Sequence, residues 1–252
     1  MKEKLLIAGP CSLEGPELAH TTITKAQEQQ IPIVRMNLWK PRTKPGFEGI
    51  GEAGIPLLID AAQAGLGVGL EIMTPEQAQL ILDEVLGVVP HAHILLWIGS
   101  RNQNHILQRD IGRVAAGNDT VQVMVKNQPW RDQNHWEGAA EHVISGGLSS
   151  EQVVMCHRGF TPWDKSDSPM RNIPDLEMAE RVRERTGLQM ILDPSHIGGA
   201  VHLVKELALE FGQLDWVDGQ IIEVHPDPKN ALTDAQQQLT WDELKELQGT
   251  IS

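Results

Sequence analysis

The chain has 252 residues, 40% of them hydrophobic and 22% charged, with a formal net charge of −13 at pH 7. This acidic balance argues against general nucleic-acid binding, which calls for a basic surface, but leaves room for a local cationic pocket. Two cysteines, Cys11 and Cys156, exclude a disulfide framework and fit a reducing compartment. The N-terminal apolar stretch is too short for a signal peptide, and no run approaches the ~18 apolar residues of a membrane span. The expectation is a cytoplasmic protein with no membrane or nucleic-acid partner.

Short runs rich in Val, Ile and Leu recur along the chain: 5–8, 31–36, 67–73, 94–99, 121–126, 153–157, 190–193 and 221–224. Continuous apolar strands of this kind belong to a parallel sheet covered on both faces. Amphipathic helical segments lie between them. Pro16 and Glu17 open the first, and Thr74-Pro75-Glu76 opens another that runs towards Leu86 before Gly87. Pro174-Asp175 introduces a helix that stops near Gly187, and Asp234 precedes a last polar helix, 235–247. Eight strand–helix units in about 250 residues predict an α/β fold, a (β/α)8 TIM barrel forming a single domain over residues 1–252. The competing doubly wound sheet usually carries a Gly-rich phosphate turn after its first strand. Gly9-Pro10-Cys11-Ser12-Leu13-Glu14-Gly15 is not that fingerprint.

Chemistry in such a barrel sits at the C-terminal ends of the strands. Here each of the eight runs ends on or near a reactive side chain: Cys11, Arg35 with Lys40 and Arg42, Glu71, Arg101, Lys126, His157-Arg158, Asp193 with His196, and Glu223. Ionisable groups at the ends of buried strands are costly unless paired or used. One set, Arg35, Lys40, Arg42, Arg101, Lys126 and Arg158, consists of cations without an obvious local partner, as suits phosphate and carboxylate oxygens. Salt bridges across the mouth are the plainer alternative. A second set, Cys11, His196, Glu223 and Asp234, has the mixed thiolate, imidazole and carboxylate donors of a divalent transition-metal site for Mn2+, Fe2+, Co2+ or Zn2+. Taken singly, Cys11 reads equally as a small buried residue and Asp234 as an N-cap. Cys156 reads as a core thiol.

The loop after the second strand, Trp39-Lys40-Pro41-Arg42-Thr43-Lys44-Pro45-Gly46-Phe47-Glu48-Gly49, places three cations among prolines that stiffen it. Together with Ala8-Gly9-Pro10-Cys11-Ser12, Ile98-Gly99-Ser100-Arg101-Asn102, His157-Arg158-Gly159, Asp193-Pro194-Ser195-His196 and Glu223-Val224-His225-Pro226, its Lys40-Pro41-Arg42-Thr43 resembles the 3-deoxy-D-arabino-heptulosonate 7-phosphate (DAHP) synthases of the compact type I-beta branch. The likeness runs in order from about residue 6 to residue 240.

That resemblance implies a barrel condensing phosphoenolpyruvate with erythrose 4-phosphate, the first step of the shikimate pathway. It implies Cys11, His196, Glu223 and Asp234 as metal ligands, with Mn2+ the leading candidate metal. Lys40, Arg101, Lys126 and Arg158 correspond to the phosphoenolpyruvate site, with Arg35 and Glu71 beside it, and Arg42 and Thr43 to positions that hold erythrose 4-phosphate. Lys126 and His157 become candidates for proton transfer, and Glu71 for orienting a water or a lysine. Ser100 stands where alanine is more usual. The feedback-inhibition segments of some relatives are expected to be missing. The expected assembly is a homo-oligomer, dimer or tetramer, with a chorismate mutase as a conceivable partner. Two alternatives remain: a 3-deoxy-D-manno-octulosonate 8-phosphate synthase using arabinose 5-phosphate, and a non-catalytic barrel that binds a chorismate mutase.

Overall fold

The computed structural model describes residues 4–41, 46–164 and 168–251. Among the described residues, parallel strands close in sequence order into a barrel, β1 to β8. The strands are β1 (Leu5–Gly9), β2 (Ile33–Arg35), β3 (Gly67–Ile72), β4 (Ile94–Ile98), β5 (Val121–Lys126), β6 (Val153–His157), β7 (Gln189–Leu192) and β8 (Gly219–Glu223). The helices are α1 (Pro16–Glu28), α2 (Ile55–Gln63), α3 (Pro75–Val88), α4 (His105–Ala115), α5 (Gln133–Ser145), α6 (Leu176–Thr186), α7 (Pro194–Gly198), α8 (Val201–Gly212) and α9 (Trp241–Ile251). The fold is the predicted (β/α)8 barrel. An open sheet is excluded because β1 pairs with β8, Leu5 through Gly9 aligning with Gly219 through Glu223.

Both faces of each strand are buried, and they divide the core in two. Ile7, Ile33, Leu95, Trp97, Met124, Val154, Cys156, Ile191 and Ile221 pack together as the barrel interior. The residues between them, such as Leu6, Val34, Leu96, Val123, Met155 and Ile222, join the larger core under the helices. Each such side chain contributes roughly 1.5–3 kcal/mol when fully buried. Side chains alternate along a strand, so two steps beyond an interior residue the chain again faces the axis. That step leads from Ile33 to Arg35, Met124 to Lys126, Cys156 to Arg158, Ile191 to Asp193 and Ile221 to Glu223. On β3 the interior positions are Gly67, Gly69 and Glu71; a Cβ at Gly69 would meet the Trp97 ring at 3.0 Å. One layer of polar side chains therefore caps the apolar interior.

Two helix expectations need correction. Helix α3 continues through Gly87 to Val88, because a single glycine costs only about 1 kcal/mol there and the chain turns at Pro90 instead. The single last helix, expected over residues 235–247, is broken. Ala235–Gln237 form a 3-10 turn, Gln238 is extended, Leu239 bridges to Val224, and α9 begins only at Trp241. Gln237 and Gln238 are drawn inward to Glu223 and to the backbone of Cys11, which a continuous helix would forbid. The restart has a local cause, since Thr240 and Glu243 form a reciprocal capping box: the Glu243 N–H donates to Thr240 Oγ1 at 3.2 Å, and the Thr240 N–H to Glu243 Oε2 at 2.8 Å. No helix among the described residues is long and apolar enough to cross a membrane.

Candidate active site at the barrel mouth

Cys11 lies two residues beyond β1, in a loop fixed from three sides. Arg35 donates to the carbonyls of Pro10 and Cys11 at 3.0 and 3.2 Å, Asn37 donates to the same Cys11 carbonyl at 2.8 Å, and the Cys11 N–H reaches Gln238 Oε1 at 3.0 Å. Arg35 can approach because residue 9 is glycine at φ 153°; a Cβ there would lie 2.4 Å from the Arg35 carbonyl. Cys11 Sγ and one carboxylate oxygen each of Glu223 and Asp234 lie within 4.8 Å of one another. His196 stands beside that triangle, with Nε2 3.7 Å from Glu223 Oε1 and Nδ1 2.9 Å from Asp193 Oδ2. Asp193 also accepts the His196 N–H at 3.0 Å, capping α7 and fixing the imidazole's place.

These donors fit a divalent metal on three grounds. They combine one sulfur, one ring nitrogen and carboxylate oxygens, the mixed set that transition ions accept. Glu223 Oε1 is buried 2.9 Å from Arg35 Nη2 but accepts no well-directed hydrogen bond, which leaves it a lone pair for a cation. A carboxylate behind the histidine, as Asp193 is, is the usual support of a metal-bound imidazole. Asp234 is not the cap of a helix: its side chain makes no capping bond, and its backbone is left-handed at φ 45°, ψ 36°. Burial, reinforced by Glu223, pushes the Cys11 thiol up to about 12, with Lys40 opposing.

The cations are less isolated than their spacing suggests. Arg35 is fully buried and pairs with Glu223 at 2.9 Å. Lys126 pairs with Asp193 at 2.8 Å. Lys40 Nζ lies 2.7 Å from Cys11 Sγ and 3.1 Å from Asp234 Oδ2. Burial works against the Lys40 ammonium, yet Cys11, Glu223 and Asp234 together raise it above the ordinary lysine range. Burial likewise works against ionising Asp193, but His196 and Lys126 hold it well below the carboxylate range. Removing one member of a buried pair such as Arg35–Glu223 costs about 3–5 kcal/mol, since a bare charge is left behind.

Among the described residues Arg158 has no carboxylate as a hydrogen-bond partner; its Nη1 donates to Asn172 Oδ1 at 2.9 Å. Burial, with Arg171 and Arg101 nearby, pushes its guanidinium down to about 10 although Asp193 pulls the other way. A buried cation disfavoured by its neighbours marks a place where an anion is welcome. Arg101 is exposed and points to the second-strand loop, its Nη1 3.4 Å from the Pro41 carbonyl. Glu71 occupies the space left by Gly99, where a Cβ would come 1.9 Å from Glu71 Oε1. Arg42 and Thr43 lie outside the described residues.

His157 falls on the wrong side of β6 for proton transfer at the mouth. It follows the interior Cys156 by one residue and so faces the helices, 5.5 Å from the Trp136 ring and 5.3 Å from the Phe160 ring. Its Nε2 accepts the Asp175 N–H at 2.9 Å, and burial drives its basicity down to about 3. Two contributors escaped sequence reasoning, and a third was seen without being given a role. Asp193 was visible at a strand end but belonged to neither chemical set. Gln237, which donates to Glu223 Oε2 at 2.6 Å and accepts from Arg171, carries no charge to draw notice. Arg171, 3.4 Å from Asp234, lies in a loop far from any strand end.

Comparison with known proteins identifies the family. The family model described as DAHP synthetase I matches residues 2–251. A phospho-2-dehydro-3-deoxyheptonate aldolase of Thermotoga maritima is 32% identical over 246 residues, covering 96% of this chain and 67% of the relative. A 2-dehydro-3-deoxyphosphooctonate aldolase of Legionella pneumophila is 26% identical, covering 98% of this chain and 89% of that one. The crystal structure of the DAHP synthase from Thermotoga maritima superposes with a TM-score of 0.83 at 31% identity, over 98% of this chain and 67% of that chain. A truncated form of the Thermotoga enzyme gives 0.80 at 27% identity, over 98% and 84%. The chain belongs to the DAHP synthetase I family of enzymes.

Proposed function

We propose that this protein condenses phosphoenolpyruvate with erythrose 4-phosphate to give 3-deoxy-D-arabino-heptulosonate 7-phosphate and phosphate, in the cytoplasm. The observation that carries the reading is the meeting, at one barrel mouth, of a cation group with the donors Cys11, His196, Glu223 and Asp234. Phosphoenolpyruvate brings a phosphate and a carboxylate, the chemistry that Arg158, Lys126, Lys40 and Arg101 can hold.

In the proposed reaction, C3 of phosphoenolpyruvate forms a bond to the aldehyde carbon, and water adds at C2. The C2–O bond to the phosphoryl group then breaks and releases phosphate. A divalent metal, Mn2+ foremost, would be held by Cys11, His196, Glu223 and Asp234 and would supply Lewis acidity towards the aldehyde oxygen or a water. Arg158 and Arg101 orient the anionic groups and stabilise the charge that develops on them. Arg35, sealed beneath the mouth, keeps Glu223 in place. Lys126 is the proton-transfer candidate that faces the axis, and the Asp193 carboxylate, 2.8 Å away, holds its ammonium in place. Glu71 borders the same space beside Gly99 and can orient a water.

A second reading, condensation with arabinose 5-phosphate, is favoured by the relatives named 2-dehydro-3-deoxyphosphooctonate aldolase. Both are tested by measuring phosphate release from phosphoenolpyruvate with each aldehyde, with and without a strong chelator. The first reading expects turnover with erythrose 4-phosphate, loss on chelation and recovery with Mn2+. Preference for arabinose 5-phosphate overturns the choice of sugar, and full activity without metal overturns the metal assignment.

A further inference from the structure

Trp97, in the apolar barrel interior, lies against two of the cations above it. It sits on the inner face of β4, fully buried, two residues below Gly99. Arg35 Cζ and Lys126 Nζ each lie 5.5 Å from the centre of its ring, within the range at which a cation is attracted to an aromatic face.

The neighbouring strand is shaped for this ring. Gly69 faces the indole, and any Cβ there would press on Trp97 Cζ3 at 3.0 Å and Ile33 Cγ2 at 3.3 Å. The large side chain on β4 is thus matched to a vacant position on β3, while one layer up Gly99 is vacant and Glu71 is large.

The ring supplies what the other partners of these cations leave out. Arg35 uses Nε and Nη2 on the Pro10 and Cys11 carbonyls and on Glu223, but its Nη1 is buried with no hydrogen-bond partner. Among the described residues, Lys126 is held at its tip by an ion pair with Asp193 alone, which fixes a distance but not a direction. An indole face is the best of the aromatic surfaces for a cation, and its pull grows where water is excluded.

We infer that Trp97 is a positioning residue of the reaction, a π platform that holds Arg35 beneath the metal-type donors and Lys126 beneath the anion site. The inference rests on the functional reading above and deepens it: through Lys126 the platform acts chiefly on the phosphoenolpyruvate half of the site.

The test compares Trp97→Leu, which keeps an apolar filler without a ring, with Trp97→Phe, which restores a weaker ring. Phosphoenolpyruvate and, separately, inorganic phosphate are titrated calorimetrically into the full chain, and both KM values are measured by phosphate release. The platform predicts that Trp97→Leu weakens binding of both anions about tenfold, that Trp97→Phe recovers most of it, and that the KM for erythrose 4-phosphate stays within about twofold. Equal anion affinity in Trp97→Leu and wild type, or equal losses in the Leu and Phe variants, overturns the platform. So does a matching rise in the aldehyde KM, which would mean general loosening. If Trp97→Leu does not fold, Trp97→Met against Trp97→Phe poses the same comparison. A wild-type chain that binds inorganic phosphate but not phosphoenolpyruvate overturns the substrate reading while the phosphate titration still decides the platform. One that binds neither overturns both.

Discussion

Lys40 Nζ and Cys11 Sγ lie 2.7 Å apart, and the same ammonium is 3.1 Å from Asp234 Oδ2. A lysine from the second-strand loop thus reaches two of the four donors expected to hold a metal. Its cation lies among ligands that would otherwise meet a divalent ion, so metal binding and Lys40 placement are coupled at one thiol.

The first prediction follows from that coupling. Cys11→Ala should weaken Mn2+ binding by roughly 100-fold or more, comparable to or beyond the loss seen for supporting residues of metal sites. Cys156→Ala should leave it unchanged, because Cys156 belongs to the apolar interior. Metal content after dialysis, read by elemental analysis, separates the two. Equal metal loading in the Cys11 variant and wild type would remove cysteine from the ligand set.

Gly99 leaves the space that Glu71 fills. A methyl group at residue 99 would strike the end of a flexible side chain and not the backbone, so the fold should tolerate it while the carboxylate moves. Gly99→Ala should lower kcat about 10- to 100-fold, as misplacement of about 1 Å can do. The melting temperature should shift by only a few degrees. In a Glu71→Ala background the same change should do little more, since both remove one placement. Additive losses would separate Gly99 from Glu71.

Gln237 joins Glu223 to Arg171 through 2.6 and 2.5 Å hydrogen bonds. Gln237→Leu keeps the buried bulk and deletes both. It should reduce metal affinity roughly 10- to 100-fold, the usual size of such outer-shell losses. Circular dichroism should remain native. A variant with unaltered affinity would make the Gln237 bridge purely structural.

His157 makes stability depend on pH. Its folded-state basicity is depressed to about 3 from the ordinary 6.5, because burial disfavours the imidazolium. Between these values the unfolded chain binds a proton that the folded chain refuses, so stability rises with pH across the window and falls as pH drops below 6.5. The contribution is at most about 1.4 kcal/mol per pH unit. Chemical denaturation at pH 7.5 and 5.0 should show a smaller acid loss for His157→Phe than for wild type. An equal loss in both would shift the acid sensitivity to other groups.

The strand ends were legible because cost makes them so. Reactive side chains at the ends of eight apolar runs are expensive to bury, and only a shared mouth gives them a use. The last helix was expected from residue 235, because the run of glutamines before Thr240 reads as helix on local preference alone. What defeats that preference is distant: Glu223 and the Cys11 backbone draw Gln237 and Gln238 inward.

The sequence by itself determined the barrel, the order of its strands and the pool of residues at its mouth, because strand–helix alternation and the expense of buried charge are local properties. Only the tertiary structure decided which of those residues face the axis. Val153, Val154, Met155 and Cys156 are all apolar, so a strand covered on both sides carries no two-residue rhythm to tell its faces apart. Barrel closure makes that choice. It turns Cys156 and Arg158 inward, sends His157 towards Trp136 and the helices, and brings Arg35 against Glu223, 188 positions away in the chain and 2.9 Å away in space.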